Sequence, residues 1–426
     1  MRKILQILCA VLTVFININM VFVSAEEGEP TPVPTAPAEE AAEVVLNAGT
    51  GAVMDKNSGS LLFQKDADNK MDPASLTKLM TIYLACENLT MDQQLTMSDT
   101  AFNWYDHESG VMWIQNGETL TVQDCVNASM LASANDTTAM LVEAVSNDVD
   151  SFVALMNETA SELGMANTHF DNPFGTHSEE NYSSAHDLCL LLQKAMGNEE
   201  FAKVFTAKRY TLPATNMQAQ ERVITTDSTM FKEESYAPLN GIKIGSTAEG
   251  GYSAAASGIS DGTSVYAVVL GGESEDTINN DLQTVMNWTF DHFQTVTITQ
   301  SQIGTKTVEV YEGRKHTADV TFSSDSDFSV MLPSSMDASS LKAEIVVENE
   351  KPSSVEEAEA QVIFTLNDEQ IGSSEAVKSV EVIESKVPQF NTGRERFDLF
   401  CLIVLALFLL TRPVMKIMSG MRPPKE

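Results

Sequence analysis

The sequence predicts an α+β protein, a single sheet packed by helices and followed by a smaller β-rich domain. Three observations carry that expectation. Strand patterns stand near residue 50 and return between residues 241 and 271. Helical periodicity dominates from residue 73 to about 195. Beyond residue 296, short alternating runs are divided by polar turns. Strands at both ends with helices between them make a sheet covered by helices.

The elements follow in order. Met1-Arg2-Lys3, an apolar stretch to Val23 and then Ser24-Ala25 read as a secretory signal peptide over residues 1–25. Residues 26–45, rich in Pro, Ala and Glu, cannot bury a core and read as a linker. Ala52-Val53-Met54, a turn at Lys56-Asn57-Ser58-Gly59 and Leu61-Leu62-Phe63 form a hairpin that opens a domain over residues 46–292. Residues 276–293 read as its closing helix. Residues 293–388 form the β-rich domain, expected as a small β-sandwich, with runs such as Thr307-Val308-Glu309-Val310 and Gln361-Val362-Ile363-Phe364. A linker over residues 389–396 leads to an apolar span over 397–418, whose Leu, Ile, Val and Phe residues cover every side of a helix. Residues 419–426 are then a short basic cytoplasmic tail. These readings describe an exported, single-pass membrane protein with its bulk outside the cell.

The formal net charge of −34, from 60 acidic and 26 basic residues, excludes nucleic acid or another polyanion as partner. Cys9 falls in the signal segment and Cys401 in the apolar span, which leaves Cys86, Cys125 and Cys189 in the exported part. All three lie in helical patterns without metal spacing and read as small buried hydrophobes. The six histidines, among them His177 and His186, form no zinc pattern and are assigned to surface or capping roles.

Three motifs carry the chemistry: Ser75-Leu76-Thr77-Lys78, Ser133-Ala134-Asn135 and Lys243-Ile244-Gly245. Their order matches the S-x-x-K, S-D-N and K-T-G set of serine acyl-transfer sites. Asp72-Pro73 is a helix-start signal that puts Ser75 in the first turn, with Lys78 three residues on along the same face. A serine hydroxyl needs a nearby base to become a nucleophile. Lys78 must be neutral to serve, and burial with Lys243 as a second cation would lower its pKa. Ser133 follows as a hydroxyl relay, and Asn135 as a donor to the substrate backbone or a partner of Lys78. The bland reading of 133–136 is a turn capping the next helix through Asn135 or Asp136. Lys243 lies in a strand pattern flanked by Gly241 and Gly245, which would let a substrate approach the backbone. A fourth match, Ser339-Ser340-Leu341-Lys342, shows how cheaply the bare pattern arises.

With these residues in view, the first domain resembles the D-alanyl-D-alanine carboxypeptidases, the low-molecular-weight penicillin-binding proteins of bacterial walls. Further likeness lies in Met156-Asn157, Leu163-Gly164-Met165, Asn172-Pro173 with Gly175, and Ser184-Ala185-His186-Asp187-Leu188. The resemblance implies a β-lactamase/transpeptidase-like catalytic domain with an inserted helical subdomain. It also implies that Ser75 attacks the carbonyl between two terminal D-alanines of a peptidoglycan pentapeptide. Lys78 and Ser133 would move the proton, while Asn135, Lys243, Gly245 and Ser246 bind substrate. The backbone N–H groups of Ser75 and Ser246 would form the oxyanion hole. β-Lactams are the implied inhibitors, and no metal or cofactor is implied. Two departures stand out: Ile244 where the family has threonine, and Phe174 before Gly175. Isoleucine cannot donate to a substrate carboxylate, so a weak wall-peptide or penicillin-binding protein is one alternative. A related endopeptidase or β-lactamase is another. Ser246 or Thr247 is a candidate substitute for the missing hydroxyl.

Overall fold

The computed structural model describes residues 44–107 and 110–383. The signal peptide, the linker as far as residue 43, the second linker, the apolar span and the tail lie outside the described residues, as do Cys9 and Cys401. Among the described residues, no helix is long and apolar enough to cross a membrane.

In chain order the first elements are β1 (Thr50–Asp55), β2 (Leu61–Lys65), a 3-10 turn (Ala74–Leu76), α1 (Thr77–Asn88), β3 (Gln94–Thr96), α2 (Asp99–Phe102) and β4 (Thr119–Thr121). There follow α3 (Val122–Leu131), α4 (Asn135–Ser146), α5 (Val149–Glu162), α6 (Ala185–Ala195), α7 (Glu199–Phe205), β5 (Arg209–Leu212) and β6 (Arg222–Thr225). The sheet is completed by α8 (Thr229–Lys232), β7 (Leu239–Thr247), β8 (Gly251–Ser260), β9 (Thr263–Gly272) and α9 (Glu275–His292). Next come β10 (Phe293–Ile298), α10 (Gln300–Ile303), β11 (Thr305–Glu312), β12 (Lys315–Ser323) and β13 (Phe328–Pro333). The last strands are β14 (Leu341–Val347), β15 (Ala360–Leu366), β16 (Glu369–Glu375) and β17 (Val377–Val382).

The described chain divides into two compact units. One comprises residues 44–303, 324–344 and 362–374, the other residues 304–323, 345–361 and 375–383. The first is built on an antiparallel five-stranded sheet of order β2-β1-β9-β8-β7. Side chains alternate across it. Tyr266, Val268 and Leu270 face a core filled by α1, α3, α4 and α6, whereas Val265, Ala267 and Val269 face α9 through Ile278, Leu282 and Val285. Helix α1 is enclosed: every residue from Thr77 to Cys86 is buried. In the second unit β11, β12 and β17 form an antiparallel sheet.

Local chemistry starts the elements. The hairpin turn is held by Asp55, which accepts from the backbone N–H of Asn57 and Ser58 and from Ser58 Oγ. Thr121 and Asp124 form a capping box at the start of α3, and Asp148, Ser184 and Ser274 cap α5, α6 and α9. Two expectations need correction. Neither Asn135 nor Asp136 caps α4, whose N-cap is Ala134 without a side-chain bond. Asp136 is instead fully buried and accepts from the N–H groups of Met112 and Ile114, so it ties the 112–114 loop to the start of α4. The stretch read as helical also holds the two-stranded antiparallel sheet β3–β4, whose three-residue strands are too short to show a period of two.

Candidate active site

Ser75 sits on the 3-10 turn that leads into α1, and the turn is shaped by its neighbours. Asp72 Oδ1 accepts from Ala74 N at 2.8 Å, and Ala74 adopts φ +48°. Ser133 has φ +52°, so two non-glycine residues at this site hold a conformation L side chains rarely adopt. Close packing fixes the turn further. A Cβ on Gly245 would lie 2.7 Å from Ser75 N, and one on Gly175 would lie 1.9 Å from Ala74 O. A Cβ on Gly241 would stand 2.8 Å from Phe205 O. These glycines therefore admit neighbouring backbone, and substrate access is not what Gly241 serves.

Lys78 is buried with its Nζ 3.4 Å from Ser75 Oγ, and it also donates to the carbonyl of Phe174. Residues 172–176 wrap around Asn172 Oδ1, which accepts from the N–H groups of Phe174, Gly175 and Thr176. Pro173 O accepts from Thr81 Oγ1 of α1 at 2.8 Å. The contribution of Phe174 is thus its carbonyl, a main-chain group that no side-chain motif reports. Burial, and then the positive charge of Lys243, lower the Lys78 pKa from 10.5 to about 7, against an opposing pull from Asp227. At neutral pH a base is present beside the serine.

Lys243 is fully buried on β7. Its ammonium donates to Ser133 Oγ and, at 2.9 Å, to Asp227 Oδ2. Ser133 Oγ also lies 3.2 Å from Asp227 Oδ2. Asp227 follows β6 and anchors its own N–H on Leu131 O at the end of α3. Sequence reading missed it, because nothing in Thr225-Thr226-Asp227-Ser228 marks a site.

These groups converge on a cavity of about 700 Å3 whose wall includes Ser75, Lys78, Ser133, Asn135, Gly245 and Ser246. Asp106, His177, Asp227, Ile244, Thr247 and Glu249 line it too. Lys243 reaches this space only through Ser133 and Asp227. Along β7 the side chains of Ile242 and Ile244 pack on the α9 side of the sheet, while Lys243 points to the other face. Thr247 is not a free hydroxyl donor: its Oγ1 donates to Asp72 Oδ2 at 2.7 Å and accepts from Gly250 N. The same Asp72 oxygen is 2.8 Å from His177 Nδ1, a bond that raises the His177 pKa. His177 is thereby part of the cleft wall, a position that its sequence surroundings did not signal.

The decoy motif is not assembled. Ser339 lies on a 3-10 turn with its N–H bound to Asp337, and Lys342 pairs with Asp368 at 2.7 Å on the surface. Cys86, Cys125 and Cys189 are buried free thiols, and burial pushes the thiol pKa of each upward. Among the described residues, one group carries metal-type donors in proximity: Glu309, His316 and Asp319 on the β11–β12 hairpin of the second unit.

Comparison with known proteins bears on this geometry. A sequence profile described as D-alanyl-D-alanine carboxypeptidase matches residues 36–274, more than half of the chain. The chain belongs to the D-alanyl-D-alanine carboxypeptidase family. Family relatives include the D-alanyl-D-alanine carboxypeptidase DacF of Bacillus subtilis, 26% identical over 307 residues, which are 71% of this chain and 77% of that one. DacC of Escherichia coli is 29% identical over 298 residues, covering 68% and 72%. The fold is shared with penicillin binding protein 5 from Haemophilus influenzae at a TM-score of 0.63 and 24% identity, over 80% of this chain and 98% of that one. The family match takes in all three motifs of the cavity.

Proposed function

We propose that this chain is a serine D-alanyl-D-alanine carboxypeptidase that removes the terminal D-alanine from peptidoglycan stem peptides. The observation that carries this reading is the pairing of Ser75 Oγ with Lys78 Nζ at 3.4 Å, beside a second lysine–serine pair. Ser75 Oγ attacks the penultimate D-alanine carbonyl as its proton passes to neutral Lys78. The tetrahedral oxyanion sits at the N–H groups of Ser75 and Ser246. Collapse breaks the peptide bond as Lys78 hands its proton to Ser133 and Ser133 hands its own to the departing amine, which leaves an ester to Ser75 and Lys78 neutral again. Water, deprotonated by Lys78, then hydrolyses that ester and restores Ser75 Oγ–H. Asn135 orients the peptide backbone. β-Lactams, which carry a strained amide in the same place, acylate Ser75.

The protein acts at the outer face of the membrane, with residues 1–25 as a cleaved signal and residues 397–418 as its anchor; the apolar runs of both segments support this. The test is D-alanine release from a peptide ending in D-Ala-D-Ala, with Ser75→Ala as the blank. Release by the parent and none by the variant is the expected result. A folded parent that releases nothing, or a Ser75→Ala variant that still does, overturns the proposal.

A further inference from the structure

The cleft contains a charge arrangement that the proposed reaction does not require. A leaving group that ends in a free carboxylate needs a cation; in the wall Lys78 is the base and His177 is bonded to Asp72, so the remaining cation is Lys243, behind the lining residues Ser133 and Asp227. That ammonium is fully buried and already donates to Ser133 Oγ and to Asp227 Oδ2 at 2.9 Å. The Asp227 side chain is 31% exposed and lines the cavity, so an incoming carboxylate meets a like charge before it reaches the lysine. Asp106 and Glu249 add two more carboxylates to the same wall. At the neighbouring position, Ile244 offers no hydroxyl, and the Thr247 hydroxyl is committed to Asp72. Charge and hydrogen bonding thus point the same way.

We infer that Asp227 is a specificity-determining residue: it holds Lys243 as an internal ion pair, so the cleft draws little binding from a free terminal carboxylate. It therefore accepts leaving groups in which that carboxylate is replaced by a neutral amide. This rests on the proposed function, whose leaving-group side it defines. Asp227 accepts from Lys243 and from the relay hydroxyl Ser133 Oγ, not from the substrate, and acts through them and through its own charge.

The test compares two pairs of compounds on the full-length chain in detergent. One pair is a peptide ending in D-Ala-D-Ala and the same peptide ending in D-alaninamide, read as kcat and KM. The other is benzylpenicillin and its methyl ester, read as the acylation rate of Ser75. In the parent, acid and neutral forms should react within about tenfold of each other, the scale of one hydrogen bond to a charged group. Asp227→Asn keeps the shape and removes the charge. It should raise the preference for the acid forms by at least about tenfold, through KM more than kcat. Asp227→Ser, which is smaller, should move the ratio in the same direction. A parent with a strong acid preference that neither variant changes overturns the inference. So does a variant that loses acid substrates selectively, since Asp227 would then be positioning Lys243 for the carboxylate. Penicillin labelling without peptide turnover would refute the carboxypeptidase reading alone, because the acid-to-ester ratio still measures Asp227. Absence of labelling with both penicillins in folded protein refutes both.

Discussion

Gly245→Ala separates close packing at the nucleophile from general destabilisation. The added Cβ would stand 2.7 Å from Ser75 N and 3.2 Å from both its Cα and Cβ. Ordinary van der Waals contact for such an atom begins at 3.4 Å, so the nearest pair must separate by 3.4 − 2.7 = 0.7 Å. No rotamer change relieves this, because all three atoms belong to the nucleophile's backbone or to the root of its side chain. Gly245 has no positive φ, which leaves the steric term as the cost. The shift falls on Ser75 or on the strand that carries Ser246, the two proposed oxyanion donors. A misplacement near 1 Å costs about 100-fold in rate, so about 10- to 100-fold, or ~1.4–2.8 kcal/mol, is expected here. The assay is the second-order rate of acylation by a fluorescent penicillin, with a thermal melt alongside. Gly241→Ala is the control on the same strand. Its Cβ would meet Phe205 O at 2.8 Å, away from Ser75, so the melting temperature should fall while the folded fraction still acylates. An unchanged acylation rate in Gly245→Ala would refute the reasoning.

Lys78 is lowered from 10.5 to about 7 and acts when neutral, so acylation should fall roughly tenfold per pH unit below 7 and level off above it. Asp227 raises that pKa, so the Asp227→Asn limb should move to lower pH, read in single-turnover profiles; a limb that stays in place would argue against this influence. The same shift enters stability. Between pH 7 and 10.5 the unfolded chain holds a proton that folded Lys78 lacks, so this group's contribution to stability rises with pH across that window and is lost as pH falls through 7. Ile244→Thr restores a hydroxyl at the cleft wall and should raise kcat/KM for the free-acid peptide by about tenfold, the scale of a hydrogen bond to a charged group. No gain would mean that the side chain, packed with Ile242 toward α9, does not reach the carboxylate.

Much of the catalytic half was legible in the chain. The three-residue spacing of Ser75 and Lys78 is a local pattern with a local cause. The helix start read at Asp72-Pro73 is displaced: Pro73 precedes a 3-10 turn that carries Ser75, and α1 begins at Thr77 with Leu76 as its N-cap. The hairpin from Thr50 to Lys65 announced itself through its turn residues. The short pairs β3–β4 and β5–β6 did not, since strands of three or four residues carry too little periodicity, and β3 and β4 are also separated by α2.

The sequence by itself determined the identity and spacing of the reacting groups, because three residues of helical chain bring a serine and a lysine to one side. Only the tertiary structure decided their environment. Asp227 meets Lys243 across 16 residues and the Phe174 carbonyl meets Lys78 across 96, contacts that exist only after the sheet and helices have packed. Asp72 joins His177 and Thr247 over separations of 105 and 175 residues. The physical reason is that burial and charge act through space. Whether Lys78 is neutral, and whether Lys243 is free to greet a carboxylate, depends on what folding brings beside each ammonium, and sequence spacing does not record that.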